Sequence, residues 1–298
     1  MRKISNSIDS SSIDQNPLLD DSGSFSFIGA GRVGTALGVY FREKGFKIQG
    51  YFSRTSESAG NASLLTDSQC YPNIEKLVAD SQIIWITTPD DAIESVAMQL
   101  SNYDITEKKM FIHVSGLKTS DALDCLKKQG HRVCSAHPLL AFGNTRNAVK
   151  MLQNTTFFLE GDEPDLNVFQ SVLSKIGNKF FKIDKRQKPI YHTGAVIISN
   201  YLVTLYDATD RIFDIADIEK TVIKEATNVL IESVLENLKT KSTKEALTGP
   251  IKRNDMETVK KHLEILEKEL PELAELYKAL GNATMNMIGD YRLKDTLN

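Results

Sequence analysis

The stretch Phe25-Ser-Phe-Ile-Gly-Ala-Gly-Arg-Val-Gly-Thr-Ala-Leu-Gly38 decides the fold of this chain. The residues before its first glycine predict a buried strand, and the apolar residues after its third glycine recur at the spacing of an amphipathic helix. The glycines at positions 29, 31 and 34 form a G-x-G-x-x-G pattern. A strand, a glycine turn and a helix in this order are typical of the first unit of a dinucleotide-binding sheet.

Each glycine of the pattern has its own steric reason. The first permits the sharp turn, the second lets the backbone approach a pyrophosphate, and the third lets the helix pack closely on the sheet. The free amides of the first helical turn and the positive end of the helix dipole then offer an anion site. The alternative is an ordinary strand and helix joined by a glycine turn. The predicted cofactor-binding residues of the turn are Gly29, Ala30, Gly31, Arg32, Val33 and Gly34.

The end of the second predicted strand bears on the choice of cofactor. An acidic residue at this place binds the ribose of NAD, whereas an arginine accommodates the 2′-phosphate of NADP. The sequence offers Ser53, Arg54 and Thr55 and no acid, so we predict that these residues bind NADP. The alternative is that Arg54 is a solvated charge at a strand end. Thr88 and Pro89, at the carboxyl end of a later strand, are predicted to line the cofactor as well.

Composition excludes several classes of protein. Of 298 residues, 41% are hydrophobic and 25% are charged, as in ordinary globular proteins. The net charge of -3 gives no reason to expect nucleic acid or an anionic membrane as a partner. No apolar run approaches the roughly 20 residues of a membrane helix. We therefore expect a soluble protein.

Three widely spaced cysteines without a C-x-x-C pair predict neither a disulfide framework nor a zinc site. We therefore expect no metal and a reducing, cytoplasmic environment. Residues 1–23 are rich in serine and aspartate and contain no continuous apolar segment, so we predict a disordered tail rather than a secretory signal.

Strand and helix patterns alternate up to about residue 185. We therefore predict an α/β fold of Rossmann type, with a mostly parallel, doubly wound sheet over residues 24–185. Beyond it the periodicity is only helical, which predicts an all-α domain over residues 186–298. Its first helix, over residues 189–213, is dense in apolar residues and is predicted to be buried on most faces. The predicted strands are 25–28, 46–51, 82–87, 110–114, 132–136, 155–160 and 179–183.

Polar residues follow several of these strands. Ser115 and His137 come directly after two of them, at the edge where open α/β sheets bind ligands. The alternatives are that Ser115 caps a turn and that His137 is hydrogen-bonded within the core. Asp90 and Asp91 stand at a helix start, and we predict that they cap it.

Three polar features stand out from the helical part. His192 lies near the start of its long apolar helix, and Ser199-Asn200 lies inside that helix, where a buried amide needs hydrogen-bond partners. The stretch Thr248–Asp255 is predicted to be a polar loop, followed by a helix that starts at Asn254. The alternatives are a helix-start histidine, an asparagine that bridges two helices, and a helix stop followed by a helix start.

Together the motifs resemble a known family. They are GAGRVGTALG, the SRT after the second strand, TPDDAI, HVSGL, HPL, YHTGAVIISNYLVTL and TGPIKRND. They look like Rossmann-like proteins with a dedicated helical C-terminal domain, similar in build to pyrroline-5-carboxylate reductase and to the 6-phosphogluconate and 3-hydroxyacid dehydrogenases. The resemblance covers about Phe25 to Arg292, and the TGPI-x-R-x-D loop is its most specific motif. It implies an NADP-dependent oxidoreductase whose helical domain supplies a substrate wall and a homodimer interface.

The chain departs from the related dehydrogenases at one position. Their long interdomain helix carries a lysine, the acid or base, four residues before an asparagine. Asn200 matches that asparagine, but Val196 stands at the lysine position. His192 lies one turn earlier on the same stripe, and an imidazole titrates near neutrality. We therefore predict His192, Asn200 and Ser115 as catalytic residues, with His192 as the proton donor.

The predicted reaction is hydride transfer from NADPH to a C=O or C=N carbon of a small substrate in the cleft between the domains. The predicted substrate-binding residues are His137, Thr248, Arg253 and Asp255, with Arg253 and Thr248 holding a carboxylate or phosphate. Two alternatives stay open. One is an NADP-binding regulatory or sensor protein, which Val196 favours, and the other is a pyrroline-5-carboxylate reductase, which the TGPI loop disfavours.

Overall fold

The computed structural model describes residues 24–297 of the chain, and the disordered tail predicted for residues 1–23 lies outside them. All seven predicted strands are present. An eighth, of two residues, was missed because so short a segment carries no periodicity. The strands are β1 (Ser24–Ile28), β2 (Lys47–Phe52), β3 (Gln69–Cys70), β4 (Ile83–Ile86), β5 (Met110–His113), β6 (Arg132–Pro138), β7 (Phe157–Gly161) and β8 (Phe180–Lys182).

These strands form one sheet in the order β3-β2-β1-β4-β5-β6-β7-β8. All neighbouring pairs are parallel except β6 and β7, which pair antiparallel from Cys134 opposite Gly161 to Pro138 opposite Phe157. The order reverses at β1, so the carboxyl ends of β1 and β4 meet at a topological switch point. The predicted fold class, a mostly parallel Rossmann-type sheet followed by helices, is confirmed.

Seven helices accompany the sheet within the described residues. They are α1 (Arg32–Glu43), α2 (Ser56–Thr66), α3 (Ile74–Ala79), α4 (Ile93–Ser101), α5 (Asp124–Lys128), α6 (Thr145–Leu152) and α7 (Glu163–Ile176), with 3-10 turns at Asp90–Ala92 and Ser120–Leu123. An aromatic cluster fills the core under α1. Phe41 of α1 is fully buried, with its ring centroid 4.9 Å from that of Phe25 and 5.3 Å from that of Trp85.

The remaining helices follow the sheet in the chain. They are α8 (Lys188–Ile215), α9 (Lys220–Thr240), α10 (Thr243–Ala246), α11 (Pro250–Arg253), α12 (Met256–Glu269), α13 (Pro271–Ile288) and α14 (Lys294–Leu297). The predicted burial of residues 189–213 on most faces is wrong for the single chain. Ile190, Ile198 and Val203 of α8 are exposed by 72%, 67% and 70%. The apolar periodicity was detected correctly, but no element of the described chain covers this side of the helix.

The stretch Thr248–Asp255 also differs from its prediction. It contains the short helix α11 rather than only a loop. The next helix is capped by Asp255, whose carboxylate accepts hydrogen bonds from the Thr258 amide at 3.1 Å and the Thr258 hydroxyl at 2.9 Å. Asn254 therefore does not cap it. Asn254 instead adopts a left-handed conformation, with φ of 56°, at the end of α11.

The chain divides into two compact units, and the division falls inside α8, between Ser199 and Asn200. The boundary predicted at residues 185 and 186 lies just before this helix. Within residues 24–297, each helix is too short or too polar to cross a membrane.

Candidate active site

The glycine turn lies where β1 leads into α1. Gly29 has a φ of +110°, and a Cβ on it would stand 2.8 Å from the backbone of Thr87, so only glycine fits. A Cβ on Gly34 would collide with the Gly29 carbonyl oxygen and the Thr87 hydroxyl, which explains the close packing of helix on sheet. A Cβ on Gly31 would meet no atom within 4 Å. The steric reasons predicted for Gly29 and Gly34 are thus present.

The start of α1 has the features of an anion site. Gly31 is its N-cap, no side chain caps the first-turn amides, and no acidic residue stands in the first turn. Exposed amides at the positive end of a twelve-residue helix bind phosphate groups well. Next to the turn, the Thr88 hydroxyl is buried without a hydrogen-bond partner among the described residues. A buried orphan hydroxyl calls for a polar ligand, so these residues fit a dinucleotide.

The loop after β2 carries the residues predicted to select the cofactor. Arg54 and Thr55 are exposed and Ser53 is partly buried. Thr55 is the N-cap of α2, and its hydroxyl donates to the Ser58 hydroxyl at 2.8 Å. The Arg54 guanidinium makes no ion pair within the described residues, so it is available to a phosphate.

The loop after β4 links the glycine turn to a second polar cluster. At its start, the Thr87 hydroxyl donates to the Gly29 carbonyl at 2.7 Å. At its end, the Asp90 carboxylate accepts a 2.5 Å hydrogen bond from the Ser115 hydroxyl. The predicted capping role of Asp90 is therefore wrong, because the 3-10 turn at Asp90–Ala92 has no side-chain cap and the carboxylate binds Ser115 instead.

Ser115 is buried in the turn after β5. Its hydroxyl accepts hydrogen bonds from the amides of Leu117 at 3.2 Å and Lys118 at 2.9 Å, so it also caps the turn. Its own amide donates to Nδ1 of His113 at 3.2 Å. Nε2 of His113 donates to the Thr119 carbonyl at 3.0 Å, which fixes a neutral imidazole. Burial and the charge of Lys188 lower the pKa of His113 to about 3.

The rings of two predicted residues, His137 and His192, lie next to Gly116. A Cβ on Gly116 would stand 2.5 Å from Cδ2 of His192 and 3.1 Å from Nε2 of His137, so the glycine makes room for both rings. The two imidazole centroids are 6.3 Å apart. Nδ1 of His137 lies 2.7 Å from the Tyr191 hydroxyl, at hydrogen-bond distance. Burial, assisted by Lys188 and His192, lowers the pKa of His137 to about 4.

Sequence reasoning missed two residues of this cluster. Tyr191 carries no separate signal in the sequence, although its phenol pairs with His137. Lys188, the first residue of α8, is 1% exposed, and its ammonium donates to the Ser115 carbonyl at 3.0 Å and to the Ser135 hydroxyl. Lysines are rarely buried, so no sequence pattern indicated that Lys188 belongs to this cluster. The only signal in the sequence was its position directly before a long apolar run.

The second compact unit contains the remaining predicted site residues, which are Asn200, Thr248, Arg253 and Asp255. Ser199 is the last residue of the first unit. The argument that Asn200 is a buried amide is wrong, because Asn200 is exposed on α8. Ser199 is partly buried, and its hydroxyl donates to the Ala195 carbonyl at 2.6 Å. Thr248 and Arg253 are exposed at the two ends of the Gly249-Pro250 turn and α11. The carboxylate of Asp255 is engaged as the N-cap of α12.

Two family models match the chain. A Rossmann-like domain model matches residues 9–138, and the model of a domain of unknown function, DUF2520, matches residues 155–284. The two matches follow one another along the chain, the Rossmann-like model first and the DUF2520 model second. This confirms the resemblance drawn from the motifs. The DUF2520 match includes β7 and β8, so this domain model begins inside the sheet.

Solved structures share this architecture. A protein from Bacteroides fragilis, named a "putative NADP oxidoreductase", is 21% identical, with a TM-score of 0.72 over 88% of this chain and 98% of its own. A protein from Thermotoga maritima is 26% identical, with a TM-score of 0.67 over 89% and 98%. The pyrroline carboxylate reductase of Plasmodium falciparum, solved with NADP bound, is 14% identical, with a TM-score of 0.57 over 90% and 99%. No curated protein matches the sequence.

Proposed function

We propose that this chain is an NADP-dependent oxidoreductase that transfers a hydride between NADPH and a small C=O or C=N substrate. One observation carries the proposal. The loop Thr87–Asp90 connects the uncapped glycine turn at one end with the Ser115 cluster at the other. A phosphate cradle and a group of proton-bearing side chains therefore occur on neighbouring strand ends, where open α/β sheets bind their ligands.

The chain's own residues fall into two roles. The amides that follow Gly31 and the Thr88 hydroxyl would hold the dinucleotide, and Arg54 would bind its 2′-phosphate. When bound, NADPH supplies the hydride. His192 is the group we propose as proton donor to the substrate. Neither ring nitrogen of His192 makes a hydrogen bond within residues 24–297, so both are available to a substrate.

Ser115 and His137 support this role. The Ser115 hydroxyl is held by Asp90 and by two amides, so it is fixed rather than mobile. His137 is paired with Tyr191 and presents a neutral imidazole. The roles of Asn200, Thr248, Arg253 and Asp255 stay predictions, which single substitutions test through the Michaelis constant.

The names of the structural relatives support the substrate class. They include a pyrroline-5-carboxylate reductase and imine reductases, whose names point to C=N chemistry. We therefore propose cyclic imines as the first substrates to test and keto acids as the second.

Cofactor choice is tested by titrating NADPH and NADH into the wild type and Arg54→Gln. Loss of one charged hydrogen bond costs about 1.5–3 kcal/mol, so we expect NADPH to bind about 10- to 100-fold more weakly and NADH to be unaffected. Arg42→Gln is the matched control, because Arg42 is exposed in the last turn of α1, far along the helix from the glycine turn, and pairs with Asp67. Equal effects on NADPH and NADH would exclude a phosphate contact of Arg54.

Turnover is tested by following the absorbance of reduced nicotinamide with cyclic imines and keto acids. We expect His192→Gln to lower turnover by about 100-fold, because general acid catalysis contributes about that factor or more, and to leave NADPH affinity unchanged. His262→Gln is the control, because His262 is exposed on α12. Unchanged turnover in His192→Gln removes this histidine from the proposed role.

Val196 favours a second candidate function, an NADP-binding sensor without catalysis. This candidate predicts tight NADPH binding and no oxidation with any substrate of the panel. It also predicts that proteolytic protection of the chain increases with NADPH, because a bound ligand stabilises the native state.

We also propose that the chain forms a homodimer through its long helices. Exposed apolar side chains line α8 and α9, and among them Val229 and Leu230 of α9 are exposed by 66% and 62%. Apolar patches of this kind mark interfaces. Light scattering should give twice the chain mass for the wild type and a lower mass for Leu230→Glu. Leu64→Glu on α2, at an 82% exposed leucine, is the control and should remain dimeric.

A further inference from the structure

Lys188 is a buried cation without an assigned role. Its side chain is fully enclosed, and its ammonium donates to the Ser115 carbonyl at 3.0 Å and to the Ser135 hydroxyl. Burying a charge is costly unless it is paired and hydrogen-bonded. A methionine has a similar length and no charge, so it would fill this place without that cost. The buried lysine therefore indicates a role for its charge or its hydrogen bonds.

The two acceptors show what the ammonium joins. Ser115 stands in the turn after β5, and Ser135 stands on the neighbouring strand β6, where its hydroxyl also donates to the Ser115 carbonyl at 3.3 Å. Lys188 therefore ties the first residue of α8 to the Ser115-Gly116 turn. Gly116 in turn lies beneath the rings of His137 and His192.

The ammonium also acts through its charge. Burial is the main cause that lowers the pKa of His113 and of His137, and the charge of Lys188 adds to it. Glu160 on β7 and Asp90 after β4 face Lys188 and favour its charged form, while burial opposes it. His137 additionally faces Tyr191 and His192 of α8. Of these neighbours, Lys188 is the one that carries a buried ammonium.

We propose that Lys188 is a positioning residue of the active site, whose ammonium holds the Ser115-Gly116 turn in place beneath the rings of His137 and His192. A neutral imidazole has one acceptor and one donor nitrogen, so its pairing with the phenol has a defined direction. The effect of Lys188 on turnover rests on the proposed function. Its effect on the titration of His137 does not.

The test is a titration of the five histidines by NMR in the full-length chain. The His137 signal is assigned by its absence from His137→Gln. We expect Lys188→Met to raise the pKa of His137 by about 1 pH unit, as removal of a nearby like charge does. Lys109→Met is the control. Lys109 is also buried, but its ammonium binds Glu107 and the Ala79 carbonyl, and we expect no change at His137.

A wild-type measurement covers the case in which Lys188→Met does not fold. Deprotonation of Lys188 should shift the His137 signal a second time, through a pH of about 8. An unchanged His137 midpoint in folded Lys188→Met, or a flat His137 signal through this pH in the wild type, overturns the proposal.

If the chain turns no substrate over, the oxidoreductase proposal fails, while the titration still decides the role of Lys188. If it is active, Lys188→Met should shift the acid limb of the pH profile upward, and Lys109→Met should not.

Discussion

Residues 24–199 and residues 200–297 bury their apolar side chains to different degrees. In the first region the sheet and its helices enclose two continuous clusters, and Phe25, Phe41 and Trp85 are fully buried. In the second region the buried clusters are small, with five and four members. The long helix α9 exposes Val229, Leu230 and other apolar residues to solvent. Both regions carry apolar periodicity in their sequence, so the pattern alone does not determine burial.

The difference follows from what each helix packs on. The helices α1 to α7 have a sheet to cover and bury most of their apolar residues on it, whereas Ile190 and Ile198 at the start of α8 stay exposed. A helix with apolar residues on two sides needs more than one neighbour. The proposed homodimer would cover the apolar faces that the second region leaves exposed.

The largest expected effect comes from removing an aromatic ring from the first region. We expect Phe41→Ala to lower the free energy of unfolding by about 4 kcal/mol, because a large buried ring leaves a cavity. Leu230→Ala in the second region should cost under about 1 kcal/mol in dilute monomer and more at concentrations where the dimer forms. Urea denaturation at two protein concentrations measures both. A large cost of Leu230→Ala in the monomer would break the comparison.

A second effect is acid destabilisation, which should arise in the first region. The pKa of His113 is about 3 in the folded chain and 6.5 in the unfolded one. The unfolded chain therefore binds a proton that the native chain does not, and stability falls as the pH drops from about 7 to about 4. Through this linkage, His113 lowers the free energy of unfolding by on the order of 3 kcal/mol over this pH range. His137 acts in the same direction.

The measurement is the urea midpoint as a function of pH. His113→Gln should remove most of its share of this acid loss. An identical acid loss in His113→Gln and the wild type would assign the effect to other groups.

The fold was predictable because its signals are local. The strand periodicity, the glycine turn and the capping residues each lie within a few positions, and seven strands and the long helices followed from them. A capping box at Ser242 and Glu245, another local pattern, starts α10. The sequence did not show which other elements pack against each helix face. The burial of α8 depends on what packs against it, and periodicity records only that one face is apolar.

The candidate site was partly predictable for the same reason. Ser115, which follows β5, and His137, near the carboxyl end of β6, were predicted from the expected sheet edge alone. Lys188 was missed because its burial depends on Ser115 and Ser135, which are distant in sequence. The capping role assigned to Asp90 failed likewise, because a tertiary partner, Ser115, replaced the local one.

A third, smaller effect concerns packing at the site. Gly116→Ala places a methyl group 2.5 Å from the ring of His192, so the ring must move. Overpacking of this kind costs typically 1–3 kcal/mol, and we expect about 2 kcal/mol together with a loss of turnover. Gly143→Ala is the control, because a Cβ there meets nothing within 4 Å. Full activity in Gly116→Ala would show that the two imidazoles are not held at this position for catalysis.

The smallest effect compares a helix that packs on the sheet with the exposed side of α8. Gly60 of α2 and Gly194 of α8 are both helical glycines whose Cβ would meet nothing within 4 Å of the single chain. Alanine at Gly60 should raise the free energy of unfolding by about 0.5–1 kcal/mol, because glycine weakens a helix interior. Gly194 shares a helical stripe with the exposed Ile190 and Ile197, so a second copy packed on α8 would leave less space there. We therefore expect Gly194→Ala to gain less than Gly60→Ala when the dimer is populated and to gain equally when the chain is diluted to monomer. Equal gains at every concentration would show that the Gly194 side of α8 stays uncovered.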